Sequence, residues 1–112
     1  MADHVRLAVV TTTLPTEEAA RALSSELLER RLAACVQTMP IHSAYRWKDR
    51  LESANETLLV AKTRADLAAD LMNAIRDRHP YETPEIILTA VEAAHPPYSA
   101  WVAQETRPVR PA

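Results

Sequence analysis

Residues 52–63 read Glu-Ser-Ala-Asn-Glu-Thr-Leu-Leu-Val-Ala-Lys-Thr, and this stretch decides the fold of the chain. The four consecutive apolar residues within it indicate a strand that is buried on both faces. A second extended run, residues 34–45, precedes it and is expected to break near Pro40. Residues 48–50, all polar, lie between the two runs. This arrangement predicts an antiparallel hairpin whose tip lies near Asp49.

The segments outside the hairpin carry strand and helix patterns in turn. They are a strand at 5–12, a helix at 16–31, a helix from 63 to 79, a strand at 85–91, a short helix at about 98–105 and a frayed tail at 107–112. Thr16 is placed to cap the first helix, and Thr63 with Asp66 suggests a capping box for the second. A proline follows His79 and disfavours helical geometry there, so the second helix must end at that point.

The order of these elements, βαββαβ, predicts an α+β fold of the ferredoxin-like type. We expect one domain over residues 1–112, with an extended β-hairpin and a short C-terminal helix. Three of the strands are apolar at consecutive positions, so both faces of the sheet should be dry, yet two helices cover only one face. Another copy of the chain is predicted to cover the second face. Alternatively, the C-terminal helix folds under the sheet and shields part of it.

Composition excludes several classes of function. The net charge of −2 and the pI near 6.1 argue against binding to nucleic acid or to an anionic membrane. Glycine is absent, which excludes the standard Gly-rich phosphate loops. One cysteine gives no sign of an oxidising compartment, and neither an export signal nor a long apolar run is evident, so a cytoplasmic location is expected.

Residues 79–85, His-Pro-Tyr-Glu-Thr-Pro-Glu, form the densest group of chemically capable side chains. Two prolines stiffen a turn that carries an imidazole, a phenol and two carboxylates. Such a group can ligate a divalent metal, with His79 and Glu82 as ligands, or hydrogen-bond a small polar ligand. In the alternative interpretation, His79 is structural and its positive ring is stabilised by the C-terminus of a helix.

Three other residues are candidates for contacts rather than for catalysis. Cys35 lies among apolar neighbours and is predicted to be buried and structural. Tyr45 and Trp47 share one face of the hairpin and suggest a subunit contact or a ligand wall. The sequence contains no nucleophile elbow and no HExxH pattern, so we expect no enzymatic activity, although a dyad of Cys35 with His79 stays open.

Five motifs occur in a specific order: Ala33-Ala34-Cys35-Val36, Ser43-x-Tyr45-x-Trp47, Lys62-Thr63, His79-Pro80-Tyr81-Glu82-x-Pro84-Glu85 and Tyr98-x-x-Trp101. Together they resemble the CutA family of divalent-cation tolerance proteins, over residues 5–106. The resemblance implies a ferredoxin-like fold and a tight homotrimer in which extended hairpins pair across subunits. It also implies a general likeness to the PII signal-transduction trimers.

The chain departs from the family pattern at three positions. Asp49 stands where glycine is common at the hairpin tip, and Ile41 follows Pro40 where the family often has glycine. Thr12 stands where some members carry a cysteine. The first two changes should strain turns and leave the fold intact, and the third removes a soft metal ligand.

The resemblance implies a trimeric protein that binds divalent cations of the copper type and acts in the response to metal ions. His79 and Glu82 are the predicted ligands, and Cu(II) or another divalent cation is the predicted partner, with no obligatory cofactor. The alternative is a PII-like sensor with a small effector in the cleft between subunits. Its walls, or a subunit contact, are predicted at these residues: Tyr45, Trp47, Lys62, Tyr81, Glu82 and Glu85.

Overall fold

The computed structural model describes residues 5–108 of the chain. Its elements are β1 (Leu7–Leu14), α1 (Glu17–Glu29), β2 (Cys35–Trp47), β3 (Arg50–Arg64), a 3-10 turn (Ala65–Leu67), α2 (Ala68–Arg78), β4 (Ile86–Ala90) and α3 (Pro96–Glu105). The strands form one antiparallel sheet in the order β2-β3-β1-β4. This topology confirms the predicted ferredoxin-like α+β fold with a short C-terminal helix.

One face of the sheet packs against α1 and α2. Alternate side chains of β3 are buried on this face, among them Leu59 and Ala61. They join one apolar cluster with Leu27 of α1 and with Leu71 and Ile75 of α2. The alternating buried side chains of β3 and the side chains on one face of each helix therefore pack together in a single core.

The other face of the sheet is apolar but only partly covered within the described residues. Val60 of β3 lies opposite Thr11 of β1, which in turn lies opposite Ile87 of β4, and Ile87 is 50% exposed. α3 lies at one end of this face, where Tyr98 lines a small hollow together with Val9. The terminal helix thus shields part of the second face, and the rest stays open.

Helix capping follows the prediction at α1 and departs from it at α2. The Thr16 hydroxyl accepts a hydrogen bond from the Ala19 amide at 3.0 Å, which confirms the first cap. The capping box predicted at Thr63 and Asp66 is wrong. Thr63 is buried within β3, and its hydroxyl donates to the Leu32 carbonyl at 2.7 Å, so it is not available to α2. α2 ends at Arg78, as predicted.

The hairpin of β2 and β3 extends well beyond the helices, and the molecule is 54 Å long but only 26 Å wide. β2 continues through Pro40, which pairs with Thr57, so the expected break is absent. β2 is an edge strand of the chain's own sheet, where a missing N–H is tolerated. At the tip, Lys48 and Asp49 have φ values of 49° and 64°, in the left-handed region.

Replacing Asp49 with glycine is expected to raise the free energy of unfolding by about 1 kcal/mol, because a residue with a Cβ is disfavoured at positive φ. Urea unfolding measures the change. Ser53→Gly is the matched control, since Ser53 lies within β3 and glycine there weakens the strand. A loss of stability in both variants would contradict the interpretation of a strained tip.

The end of the described chain is held against the domain. The Arg107 amide donates to the Arg31 carbonyl at 2.9 Å, and the Arg107 side chain lies 3.3 Å from the Asp70 carboxylate. The frayed tail predicted from residue 107 is therefore wrong for Arg107, while residues 109–112 lie outside the described residues. Among the described residues, no helix has the length and apolar character needed to cross a membrane.

Candidate functional site

The turn at residues 79–85 wraps around the end of β1 and joins the two faces of the sheet. His79 follows α2 with an extended backbone, φ −80° and ψ 134°, as expected for a residue before proline. Its ring lies on the helix-covered side, against Thr12 and Thr13. Two residues later, the Tyr81 hydroxyl reaches Glu56, which lies on the open face of β3. The turn therefore connects the core to the hairpin.

Both ring nitrogens of His79 are engaged within the chain. Nδ1 lies 3.2 Å from the Tyr81 amide, which can only donate, so Nδ1 is the acceptor and carries no proton. Nε2 then carries the proton and donates to the Thr13 carbonyl at 2.8 Å, with the Thr12 hydroxyl at 3.0 Å. Coordination of a metal by either nitrogen requires one of these contacts to break.

The pKa of His79 supports a neutral ring. Burial lowers this pKa below its ordinary value of 6.5, and the Thr13 carbonyl and the Glu56 carboxylate offset the effect only in part. A neutral imidazole matches the hydrogen bonds, because a proton on Nδ1 would remove the acceptor of the Tyr81 amide. His79 does lie at the C-cap of α2, as the structural interpretation predicts, but its ring is neutral rather than positive.

Tyr81 and Glu56 form the shortest side-chain contact of the turn, at 2.6 Å between the phenol oxygen and a carboxylate oxygen. Burial alone raises the pKa of Glu56, but hydrogen bonds from Ser43, Tyr81 and Thr13 outweigh it, and the net pKa lies below its ordinary value of 4.5. Burial and the Glu56 carboxylate raise the pKa of the Tyr81 phenol. The phenol therefore stays protonated at neutral pH and donates to an ionised carboxylate.

An open cleft of about 790 Å³ lies between the hairpin and this turn, and we call it the hairpin cleft. Three aromatic side chains and four carboxylates contribute to its lining: Tyr45, Trp47, Tyr81, Glu52, Glu56, Glu82 and Glu85. No Lys or Arg lines it within the described part of the chain. The cleft therefore combines aromatic surface with an excess of negative charge.

The structure brings together five of the seven residues predicted as metal ligands, cleft walls or subunit contacts and leaves two apart. Tyr45, Trp47, Tyr81, Glu82 and Glu85 all line the hairpin cleft. The two that lie elsewhere are His79 and Lys62. His79 is turned towards β1. Lys62 lies six residues beyond Glu56 on β3, which is about 20 Å at the rise of a strand. Within one chain, Lys62 is therefore not a wall of the cleft.

Sequence reasoning missed two of the four carboxylates of the cleft, Glu52 and Glu56. Both side chains lie on the open face of β3, four residues apart, and Glu52 pairs across the hairpin with Tyr45. The period of two within the predicted hairpin was the available signal, because it places Glu52, Tyr45 and Trp47 on one face. The contact of Glu56 with Tyr81 depends on packing and had no such signal.

Comparison with known proteins assigns the chain to a family. The family model "CutA1 divalent ion tolerance protein" matches residues 8–105. The chain belongs to the CutA1 family. A crystal structure of the family's divalent ion tolerance protein from Ehrlichia chaffeensis has a TM-score of 0.89 at 34% identity, covering 94% of this chain and 99% of that one. The predicted family is thereby confirmed.

Two curated CutA relatives show how far the similarity extends. Protein CutA of Mus musculus is 42% identical over 98 residues, which are 87% of this chain and 55% of the mouse protein. The divalent-cation tolerance protein CutA of Thermus thermophilus is 36% identical over 99 residues, 88% of this chain and 96% of that protein. The chain thus spans about half the length of the mouse CutA protein and nearly all of the Thermus one.

Cys35 lies at the opposite end of this CutA1 domain's open face. It is half-buried rather than fully buried, and it pairs across the strands with Lys62. Burial and then a contact with Cys35 raise the pKa of the Tyr98 phenol, so the cysteine lies beside this residue of α3. A dyad of Cys35 with His79 is not formed, because His79 contacts Thr12 and Thr13 on the other face of the sheet. The structural role of Cys35 stays a prediction.

Metal-ligating side chains do not cluster in one copy of this CutA1 domain. Within residues 5–108, no group of three or more His, Cys, Asp or Glu side chains is close enough to hold a metal ion. Glu82 and Glu85 are exposed at the mouth of the hairpin cleft. Neither makes a side-chain hydrogen bond or an ion pair with another described residue.

Proposed function

We propose that the chain acts in divalent-cation tolerance as a binding protein rather than as an enzyme, and that the cation binds in the hairpin cleft. The observation that carries this proposal is the lining of the cleft, which includes four carboxylates and, among the described residues, no Lys or Arg. The description of the matched family, a divalent ion tolerance protein, supports it. Unpaired carboxylates attract a divalent cation by charge and supply oxygen ligands.

The proposed cation is of the copper type. For a given set of nitrogen and oxygen donors, Cu(II) binds most tightly among the divalent first-row metals. We propose Glu82 and Glu85 as protein ligands in the cleft, with further positions filled by water or by a second copy. No soft ligand is available there, because Cys35 lies at the far end of the sheet and Thr12 has a hydroxyl in place of a thiol. Weak to moderate affinity is expected.

We also propose that the chain assembles as a homotrimer through the open face of the sheet. Ile87 and Met39 are 50% and 54% exposed, with Leu58 and Val60 half-buried between them. An apolar surface of this kind is typical of a subunit interface. The implied pairing of long hairpins between copies fits the length of β2 and β3, which extend beyond the helices.

Calorimetric titration of Cu(II) into thiol-reduced, metal-free protein tests the cation proposal. Replacing Glu82 and Glu85 together with glutamine is expected to raise the Kd at least about tenfold, equivalent to about 1.4 kcal/mol. Glu18→Gln is the matched control, because Glu18 is exposed on α1, away from the cleft. If the double variant binds copper as tightly as Glu18→Gln, the cleft is not the site.

The variant His79→Gln separates the two ligand sets in the same titration. Loss of copper binding in this variant alone would support the imidazole ligand predicted from the sequence. Retained binding would support the carboxylates of the cleft, as we expect from the engagement of both ring nitrogens.

A second candidate function is that of a PII-like sensor with a small effector. The observation that favours it is the volume of the hairpin cleft, about 790 Å³, which lies in the range of about 300–1,000 Å³ typical of small-molecule sites. Three aromatic walls provide the apolar surface that such sites use. A thermal-shift screen of metabolites on the metal-free protein tests this function.

A further inference from the structure

The three aromatic rings of the hairpin cleft stand next to its carboxylates. Tyr45 lies directly opposite Glu52 in the hairpin, and Trp47 is the next residue on the same face. On the other side of the cleft, Tyr81 directly precedes Glu82. A ligand that enters between these walls meets aromatic surface and negative charge together.

Three of the four carboxylates have no partner within the described residues. Glu52, Glu82 and Glu85 take part in no side-chain hydrogen bond or ion pair there, whereas Glu56 accepts from Tyr81. Glu52 and Glu56 point to the same face of β3 and lie about 14 Å apart at the rise of an antiparallel strand. The negative charge is therefore spread along the length of the cleft and not focused at one point.

The ring of Trp47 already holds an alkylammonium group of the chain itself. The Lys48 ammonium lies 5.5 Å from the centroid of the Trp47 ring, within the distance of a cation–π contact. Lys48 does not line the hairpin cleft, while Trp47 does. A second cation can therefore contact Trp47 from the cleft.

We propose that the hairpin cleft binds a linear organic polyamine, a flexible chain with two or more alkylammonium groups. Each ammonium group would meet a carboxylate, and the methylene segments would lie against Tyr45, Trp47 and Tyr81. Anionic effectors such as nucleotides are disfavoured, because no Lys or Arg is among the described residues that line the cleft, and the predicted cationic wall, Lys62, is about 20 Å along β3. This inference rests on the second proposed function, a small effector in the cleft.

Titration calorimetry with spermidine on the full-length, EDTA-treated protein tests the inference. We expect one spermidine per chain in the wild type and a Kd at least tenfold higher in the Glu82→Gln/Glu85→Gln variant. Glu18→Gln, which removes one negative charge outside the cleft, should bind like the wild type. Glu85→Gln alone is the cleft variant with the same single loss of charge. If Glu18→Gln weakens spermidine binding as much as Glu85→Gln does, the attraction of spermidine is non-specific and the inference is overturned.

Hexaamminecobalt(III) distinguishes a fitted ligand from a charge alone, since it carries the same charge as spermidine without its methylene chain. We expect it to bind at least tenfold more weakly than spermidine, and Trp47→Leu to weaken spermidine binding with little effect on hexaamminecobalt(III). Equal affinities for the two cations would overturn the inference.

Two further readouts separate this inference from the proposed functions. Copper binding without spermidine binding would leave the metal proposal standing and overturn the polyamine. Binding of an anionic metabolite at the same cleft would retain the sensor and overturn the ligand class. Light scattering of the double glutamine variant is the last check: dissociation of the assembly would mean that these carboxylates pair with a second copy, for which the basic hairpin tip with Arg46, Lys48 and Arg50 is the candidate, and would overturn the inference.

Discussion

Replacing Val60 and Ile87 together with lysine is expected to abolish the proposed trimer and the cooperative thermal transition. Both residues lie in one row across the open face, joined through Thr11 of β1. In an assembly built on this face, each copy would bring two unpaired charges into a dry interface, and each buried charge costs several kcal/mol. Without the assembly, the apolar face of each chain would be exposed to water, so we expect no stable folded monomer at micromolar concentration.

Light scattering and circular dichroism at micromolar concentration measure this outcome. The scattering mass should fall towards that of one chain, 12.5 kDa, with loss of the sharp melting transition. Leu28→Lys is the matched control: Leu28 is 42% exposed on α1, compared with 50% for Ile87, and it lies outside the sheet. A wild-type mass near 12.5 kDa, or an intact trimer in the double variant, would rule out assembly through this face.

Replacing His79 with alanine is expected to lower the free energy of unfolding by about 2–4 kcal/mol, since each buried polar group left without a partner costs about 1–3 kcal/mol. The variant leaves the Thr13 carbonyl and the Tyr81 amide without the ring that joins them. The turn then loses its connection to β1. Urea unfolding monitored by circular dichroism measures the loss.

His79 also makes the free energy of unfolding depend on pH, and the direction of its pKa shift determines the sign of this dependence. The folded-state pKa of His79 lies below its ordinary value of 6.5 because of burial, so the unfolded chain binds a proton at higher pH than the folded chain does. The contribution of the neutral His79 ring to the stability of the fold is fully present above pH 6.5 and is lost as the pH falls towards the folded-state pKa. The low pKa of Glu56 adds a second loss below its ordinary value of 4.5.

His79→Gln tests this assignment without removing the side chain's hydrogen-bonding ability. Its stability should be nearly constant between pH 7.5 and 5.5, where that of the wild type falls. His42→Gln serves as the control, because His42 is exposed and bonds only to Asn55 in the hairpin. If His42→Gln abolishes the pH dependence and His79→Gln preserves it, the buried ring of His79 is not its source.

Several features of the chain were predictable because they depend on local sequence. The apolar run of residues 58–61 marked the central strand, and Pro80 required α2 to end before His79, at Arg78. Thr16 capped α1 with its own hydroxyl. These effects act over one to four residues, within the range at which backbone geometry and side-chain spacing determine structure.

Prediction failed where a local preference competed with a tertiary contact. Thr63 has the residue type and spacing of a helix cap, but burial on the helix-covered face gave its hydroxyl the Leu32 carbonyl instead. Pro40 has the residue type of a strand break, but the long register with β3 carried the strand through it. In both cases the tertiary contact outweighed a weak local preference.

The order of strands and helices, the family motifs and the aromatic face formed by Tyr45 and Trp47 followed from local sequence patterns. Only the tertiary structure decided what the residues of the turn do. His79 contacts Thr12, 67 positions away in the sequence, and Tyr81 contacts Glu56, 25 positions away. Periodicity says on which face a side chain lies, whereas a hydrogen bond needs the distance between two elements, and that distance is determined by how the whole core packs.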